Sequence, residues 1–453
     1  MVGCQLTVNT FGVGIRDACR GVAMGARVCL GIGALTLTLY WVAVSLLPHS
    51  TSSDIAFASP SEPVASAWLS WAGAPQPDEL GRIEASLGCA ASGSAEDLDA
   101  FFEQRRGPLI GWDNPHVTEL GADRWLWLVH DTYLDYSGRA NDLEAVGSQV
   151  QNVAFIQDGN CFSLLHRGTP DERLNFERGD GSIAPEHFLW PLGSEVDGDR
   201  LWVFWGETAS APINETPPGH GITRHPVATW LASYDRSTLE RLSFAPAPNP
   251  GVEPVYGFAV ASDESHTYLF GNTNQLNFWR NGGYENGPHS ATRMYLARVD
   301  RGQLDQEPAY WTGTDWSSSA ADAMPISDRF YAENTMQPRY LDGRWFSVVQ
   351  RDGFFGNDVW LEAARDPWGP WVAMDVIEHR TRDATVEKNS YQPIVLPWSS
   401  AEKGVQIAIS ENAVKWFEAL EDPSLYRPTI FEVEWPSDSH ARIDEAIGRL
   451  ANS

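Results

Sequence analysis

From about Gly107 onward, short alternating apolar runs are broken by Gly, Asp, Asn and Pro, which is the pattern of strands and turns. Five segments share one form, a polar turn followed by a run rich in aromatic and β-branched residues. They are Ala122–Asp131, Asp197–Gly206, Asp263–Asn272, Asp342–Arg351 and Glu402–Glu411. Each follows another short apolar run (HVTELG, FLWPLG, YGFAVAS, MQPRYL and SYQPIVL), so a hairpin recurs five times. A third run often follows, as in NVAFIQD, TWLASYD, MYLARVD and DVWLEAA. The period is roughly 60–80 residues, room for a four-stranded sheet with long loops. One such sheet cannot bury both faces, whereas five arranged radially bury one another. The expected fold is an all-β, five-bladed β-propeller over 107–436. A β-sandwich, or a pair of them, is the competing arrangement.

The flanks read differently. Val28–Leu47 is twenty residues without a charge, long enough to cross a bilayer as a helix, and Arg16, Arg20 and Arg27 precede it. It reads either as a single-pass anchor or as a signal peptide cut after Ala56-Phe57-Ala58. Both readings of 1–58 place the rest outside the cytoplasm, secreted or membrane-anchored, touching the membrane only through this segment. Residues 59–106 read as a linker and a short helical segment, the latter in Asp78–Gln104 with one or two helices built on Leu80, Ile83, Leu87, Leu98, Phe101 and Phe102. Residues 437–453 read as a helical tail capped by Ser or Asp.

The whole chain of 453 residues carries 32 Lys+Arg against 60 Asp+Glu, a formal charge of −28. Residues 1–58 hold three Arg and two Asp, so the exported part keeps 29 basic and 58 acidic residues. Such a surface repels polyanions, which argues against nucleic acid and for a neutral substrate. Three of the five cysteines belong to the leader; the other two, Cys89 and Cys161, form either a disulfide or two separate buried thiols.

In a propeller the innermost strands converge on a central channel, so polar residues just before each first strand are the candidates for chemistry. These are Trp112, Asp113 and Asn114; Glu186 and His187; Glu253 and Tyr256; Tyr331, Glu333 and Asn334; and Asn389, Tyr391 and Gln392. Glycoside hydrolysis needs two carboxylates flanking one bond. Asp113, Glu186 and Glu333 can supply them as catalytic residues. Trp112, Asn114, Tyr256, Tyr331, Asn334, Asn389, Tyr391 and Gln392 are expected to bind substrate, the aromatic ones by stacking on sugar faces. Each carboxylate also reads as an ordinary turn or cap residue. His130-Asp131-Thr132 closes the second strand of the first repeat and reads primarily as a structural loop tie. No HExxH, paired CxxC, GxSxG or phosphate-cradling glycine loop occurs. No metal or cofactor is therefore specified, although an acidic channel is compatible with Ca²⁺.

The block GWDNPHVTELGADRWLWLVHDTYLDYSG resembles the first blade of secreted actinobacterial proteins of the domain-of-unknown-function 4185 group. HFLWPLGSEVDGDRLWVFW and DPWGPW resemble that group and the wider five-bladed glycoside hydrolases. The likeness spans roughly 107–435 in organisation and only short blocks in letters. It implies a five-bladed propeller and, by analogy with relatives acting on furanose polymers such as arabinan, Asp113 as nucleophile or base, Glu333 as acid and Glu186 as stabiliser. The Arg-Asp-Pro motif of the best-known hydrolases is missing from the central blade. Two functions stay open: an exported glycosidase acting on a neutral glycan, and a non-catalytic propeller that binds glycan or protein in the cell envelope.

Overall fold

The five repeated segments are the second strands of five sheets, and the apolar run before each is the first strand of its sheet. The computed structural model describes residues 81–140, 142–146, 149–169, 173–210, 224–250, 254–272, 293–326, 337–350, 358–378, 388–413 and 416–451. The leader, Tyr331, Glu333 and Asn334 lie outside them. Among the described residues no helix is long and apolar enough to cross a membrane. The first strands are His116–Gly121, Phe188–Asp197, Val255–Ser262, Arg339–Leu341 and Lys388–Val395. Each pairs antiparallel with its second strand, and later strands of the sheet extend outward. First strands of successive sheets also pack on one another, from His116–Gly121 through Phe188–Asp197 and Val255–Ser262 to Arg339–Leu341. The protein is an all-β, five-bladed β-propeller with these strands around its hub.

Why the second strands read as continuous apolar runs follows from their surroundings. Arg124–Val129 (RWLWLV) is buried on both faces. Leu126 and Leu128 face the second blade, packing with Leu189, Leu201 and Val203, whereas Trp125, Trp127 and Val129 face the fifth, with Ile394, Leu396 and Ala408. Three further apolar seams join blades two to three, three to four and four to five. The hub itself is tight. A Cβ on Gly193 of the second blade would lie 2.5 Å from the Val260 nitrogen of the third, so only glycine fits where these two inner strands meet. Two first-to-second-strand turns, Ala122-Asp123 and Asp342-Gly343, hold both central residues at positive φ, the geometry of the two-residue hairpin turn.

One expectation is corrected here. Arg82–Cys89 is not helical: it is the outermost strand of the first blade, paired antiparallel with Cys161–Gly168. Its buried residues, Ile83, Ala85 and Leu87, alternate, and the Ile83–Leu87 spacing of four satisfies both a helix and a strand period. The blades therefore begin before residue 107. Cys89 and Cys161 sit directly opposite in this pair and are disulfide-bonded.

A short helix, Ala95–Phe102, does form, with Ser94 as its cap. Leu98, Phe101 and Phe102 enter the seam between blades five and one, and the Ile430 N–H donates to Asp99 Oδ1 at 2.7 Å. Among the described residues the fifth blade has three strands, ending in Thr429–Val433, and this helix packs on the last of them. The tail forms the helix Ser439–Ala451, packed on the outer strands of blade four.

Candidate functional site

The mouth of the hub lies where first strands begin and second strands end. In blade one the chain reaches it through Trp112-Asp113-Asn114. Asn114 takes φ 51°, a left-handed conformation that asparagine tolerates, and so turns the chain into the hub. This tripeptide is tied to blade five at three points. The Trp112 N–H donates to the Tyr426 carbonyl (3.0 Å), the Asn114 N–H donates to Ser410 Oγ (2.7 Å), and the Tyr391 hydroxyl donates to Asp113 Oδ2 (2.6 Å). Asp113 is consequently buried and held at the seam that closes the ring.

Around it lies a polar cluster. His130 is stacked between His116 (5.5 Å) and Trp190 (5.3 Å). Its Nε2 donates to the Pro191 carbonyl at 2.8 Å, and its Nδ1 accepts from Asn114 Nδ2 at 3.0 Å. A carbonyl only accepts, so this network selects the neutral Nε2–H tautomer. Trp190 Nε1 donates to Asp131 Oδ1 at 3.2 Å, and the Tyr426 hydroxyl donates to the Asp131 carbonyl at 3.1 Å. The phenols of Tyr391 and Tyr426 are pushed well above the usual tyrosine range, first by burial and then by Asp113, with Asp131 adding to it. They remain neutral donors. His116 is driven well below the usual histidine range by burial, and the charge of Arg339 lowers it further.

The other candidates divide. Trp112 is fully buried between Phe102 and Phe155, with ring centroids 5.0 Å away in both cases, so it is a core residue and not a sugar platform. Tyr256 is likewise buried, in the seam of blades two and three against Tyr310 (5.3 Å), and offers no face to a ligand. Tyr391 serves as a donor to Asp113 instead of a stacking ring. Gln392 is buried at φ 48° beside it, and Asn389 lies on the same inner strand. Glu186 sits exposed in the turn before the second blade. The buried carboxylate of that blade is Glu207, which accepts from His187 Nδ1 (2.5 Å) and Trp230 Nε1 (2.8 Å).

Sequence reasoning passed over Glu207 and Glu411 and gave Asp131 a structural part. All three stand at the ends of second strands, opposite the beginnings of first strands, as the pairs Glu207–Leu189 and Glu411–Ser390 show. Glu411 is fully buried and pairs with the equally buried Lys388 (3.0 Å). The signal was present: aligning the five repeats puts His130-Asp131, Gly206-Glu207 and Ser410-Glu411 at equivalent ends. Among the described residues no three His, Cys, Asp or Glu side chains are grouped to hold a metal ion.

The model of a family described as a domain of unknown function, DUF5005, matches residues 95–435, in place of the 4185 group expected from the first-blade block. No curated protein matches the sequence. Among solved structures, a proposed hydrolase from Bacteroides ovatus is 17% identical with a TM-score of 0.53, the alignment covering 79% of this chain and 93% of that one. A GH43_1 enzyme from Xanthomonas citri is 11% identical (TM-score 0.40; 78% and 92% covered). A xylan β-1,4-xylosidase from Bacillus halodurans is 10% identical (TM-score 0.41; 73% and 54% covered). At 17% identity the likeness to the first of these speaks to fold alone, and nothing is argued from the other two.

Proposed function

The chain belongs to the DUF5005 family, and on that footing we propose that it is an exported, glycoside hydrolase-like propeller acting on a neutral glycan at the mouth of its hub. The observation that carries this reading is the Asp113 carboxylate, fixed by the Tyr391 hydroxyl from across the closing seam in a cluster that also holds Asp131. A carboxylate held by a neutral donor, with a second carboxylate close by, suits the base or nucleophile of such a cleavage and a stabiliser beside it. Asp113 takes the part of base or nucleophile, and Glu333 remains the sequence's candidate for the acid. Asp131, oriented by Trp190, fits the stabilising part first given to Glu186. The partly exposed Trp190, stacked on His130, is the aromatic surface at this mouth. The net negative charge favours a neutral polymer, and arabinan-type furanose polymers are the first substrates to test. Export is supported by the Arg-flanked apolar segment and by the disulfide, since such bonds persist in oxidising compartments.

The test is sugar release from arabinan and related neutral glycans. Asp113→Asn and Glu333→Gln should each lower the rate by about 10²–10⁴-fold while the melting transition stays in place. Unchanged release in both variants removes the assignment. A binding module is the second reading, favoured by the burial of Asp113 and Asp131. It predicts glycan binding without release, retained in Asp113→Asn.

A further inference from the structure

The opposite end of the hub is open. A cavity of about 400 Å³ opens where the first strands end, lined from all five blades, among them by Gly121, Glu195, Ser262, Leu341 and Pro397. That volume is within the roughly 300–1,000 Å³ of small-molecule sites. On a chain with a formal charge of −28, three arginines from three blades converge there: Arg236, Arg301 and Arg339.

Their hydrogen bonding is unbalanced. Arg339 donates to the Val117 and Val395 carbonyls, and Arg301 Nη1 donates to the Asp263 carbonyl at 2.5 Å. The Arg236 guanidinium has no hydrogen-bond acceptor among the described residues; its Nη1 passes 4.0 Å from where a Cβ on Gly121 would lie. No carboxylate accepts from any of the three within that set. Each guanidinium presents five N–H donors, so the cavity holds a large donor surplus. Loss of solvation lowers Arg339 to about 10, with Glu195 opposing that fall. The Glu195 carboxyl is raised by burial, against the pull of the Ser262 and Thr267 hydroxyls and of the Arg301 charge, so Glu195 offsets part of the positive charge without accepting a hydrogen bond from an arginine. The hydroxyls of Thr118 and Ser194, bonded to each other at 2.5 Å, complete the polar wall.

We infer that this cavity binds the carboxylate of a small sugar acid, taken by the Arg236, Arg301 and Arg339 guanidiniums, with its hydroxyls on Ser194, Thr118 and Glu195. A guanidinium fork matches a planar carboxylate in two parallel bonds. Glu195 and the exposed Glu119 on the same lining favour a singly charged ligand that also donates hydroxyl protons over a phosphate dianion. The site stands apart from the mouth at Asp113 and does not depend on the reaction proposed there.

Calorimetric titration of the full chain with D-glucuronate, D-glucose and inorganic phosphate tests it. Glucuronate should bind, with glucose and phosphate each at least about tenfold weaker, the worth of one or two charge-assisted hydrogen bonds. Arg236→Gln and Arg301→Gln should each weaken glucuronate by about fivefold or more while leaving glycan turnover and melting unchanged. Arg236 has no partner to lose among the described residues, so its variant keeps the test independent of folding. No glucuronate binding at millimolar concentration, tighter binding of phosphate, or undiminished affinity in both variants overturns the inference.

Discussion

At the scale of single residues, the site is a matter of which polar atoms lose water together. His116 shows this with a measurable sign. Burial and the neighbouring Arg339 cation hold its folded form below the unfolded value of 6.5, so below that pH the unfolded chain takes up a proton that the folded one refuses. Stability attributable to this residue is therefore intact above 6.5 and lost as pH falls beneath it, at up to about 1.4 kcal/mol per unit. Denaturant unfolding between pH 7 and 5 should be steeper in the wild type than in His116→Gln, and equal slopes would show that the imidazole protonates freely in the fold. Asp113 was legible from sequence because it stands at the beginning of a first strand. Its partner Tyr391 is 278 residues away and carried no signal linking the two. Trp112 and Tyr256 were misjudged for a related reason: an aromatic ring next to a site motif looks the same in sequence whether it faces the mouth or the seam.

At the scale of elements, period decided most of the fold. Two-residue turns and alternating runs located the first, second and most third strands. The failure at Arg82–Cys89 came where two periods coincide on the same apolar positions, and only pairing with Cys161–Gly168 separates them. The disulfide then holds this outermost strand to its blade across a sequence separation of 72 residues. Replacing both cysteines by alanine should cost about 2–4 kcal/mol in chemical denaturation, by removing a constraint on the unfolded chain. A difference near zero would place the edge strand outside the cooperative unit. The fifth blade adds a second lesson. Its third strand, Thr429–Val433, has no counterpart in the repeat alignment and is defined by packing under the helix Ala95–Phe102.

For the whole molecule, the consequence of this architecture is a ring closed by side chains. The described strands of blade one all precede residue 175, and those of blade five all follow residue 387, so no strand is shared across their seam. Closure rests on the cluster of Leu98, Phe102, Trp112, Trp127, Ile394 and Ile430, with the bonds from Tyr391 to Asp113 and from the Asn114 N–H to Ser410 at the mouth. Phe102 is almost fully buried, touching Trp112 at 5.0 Å and Phe162 at 5.0 Å. Phe102→Ala should cost about 3–5 kcal/mol. Hydrogen exchange should then accelerate first in Thr429–Val433 and Ala95–Phe102 and last in blade three. Uniform acceleration would mean that the seam is no weaker than the others. Because Asp113 is held from across this seam, the glycan release proposed for the mouth should fall in the same variant before its unfolding transition is reached, as sugar-release assays at rising temperature would read.

Local order alone determined the strand rhythm, the number of repeats, the sign of the surface charge and the place of Asp113 at the beginning of a blade. These depend on spacing and turn chemistry, which are written within a few residues of one another. The tertiary structure decided which carboxylates meet at the mouth, which aromatics become core, and how three arginines gather at the far end of the hub. Those outcomes depend on contacts between blades distant in sequence, where geometry sets which groups share one dehydrated space.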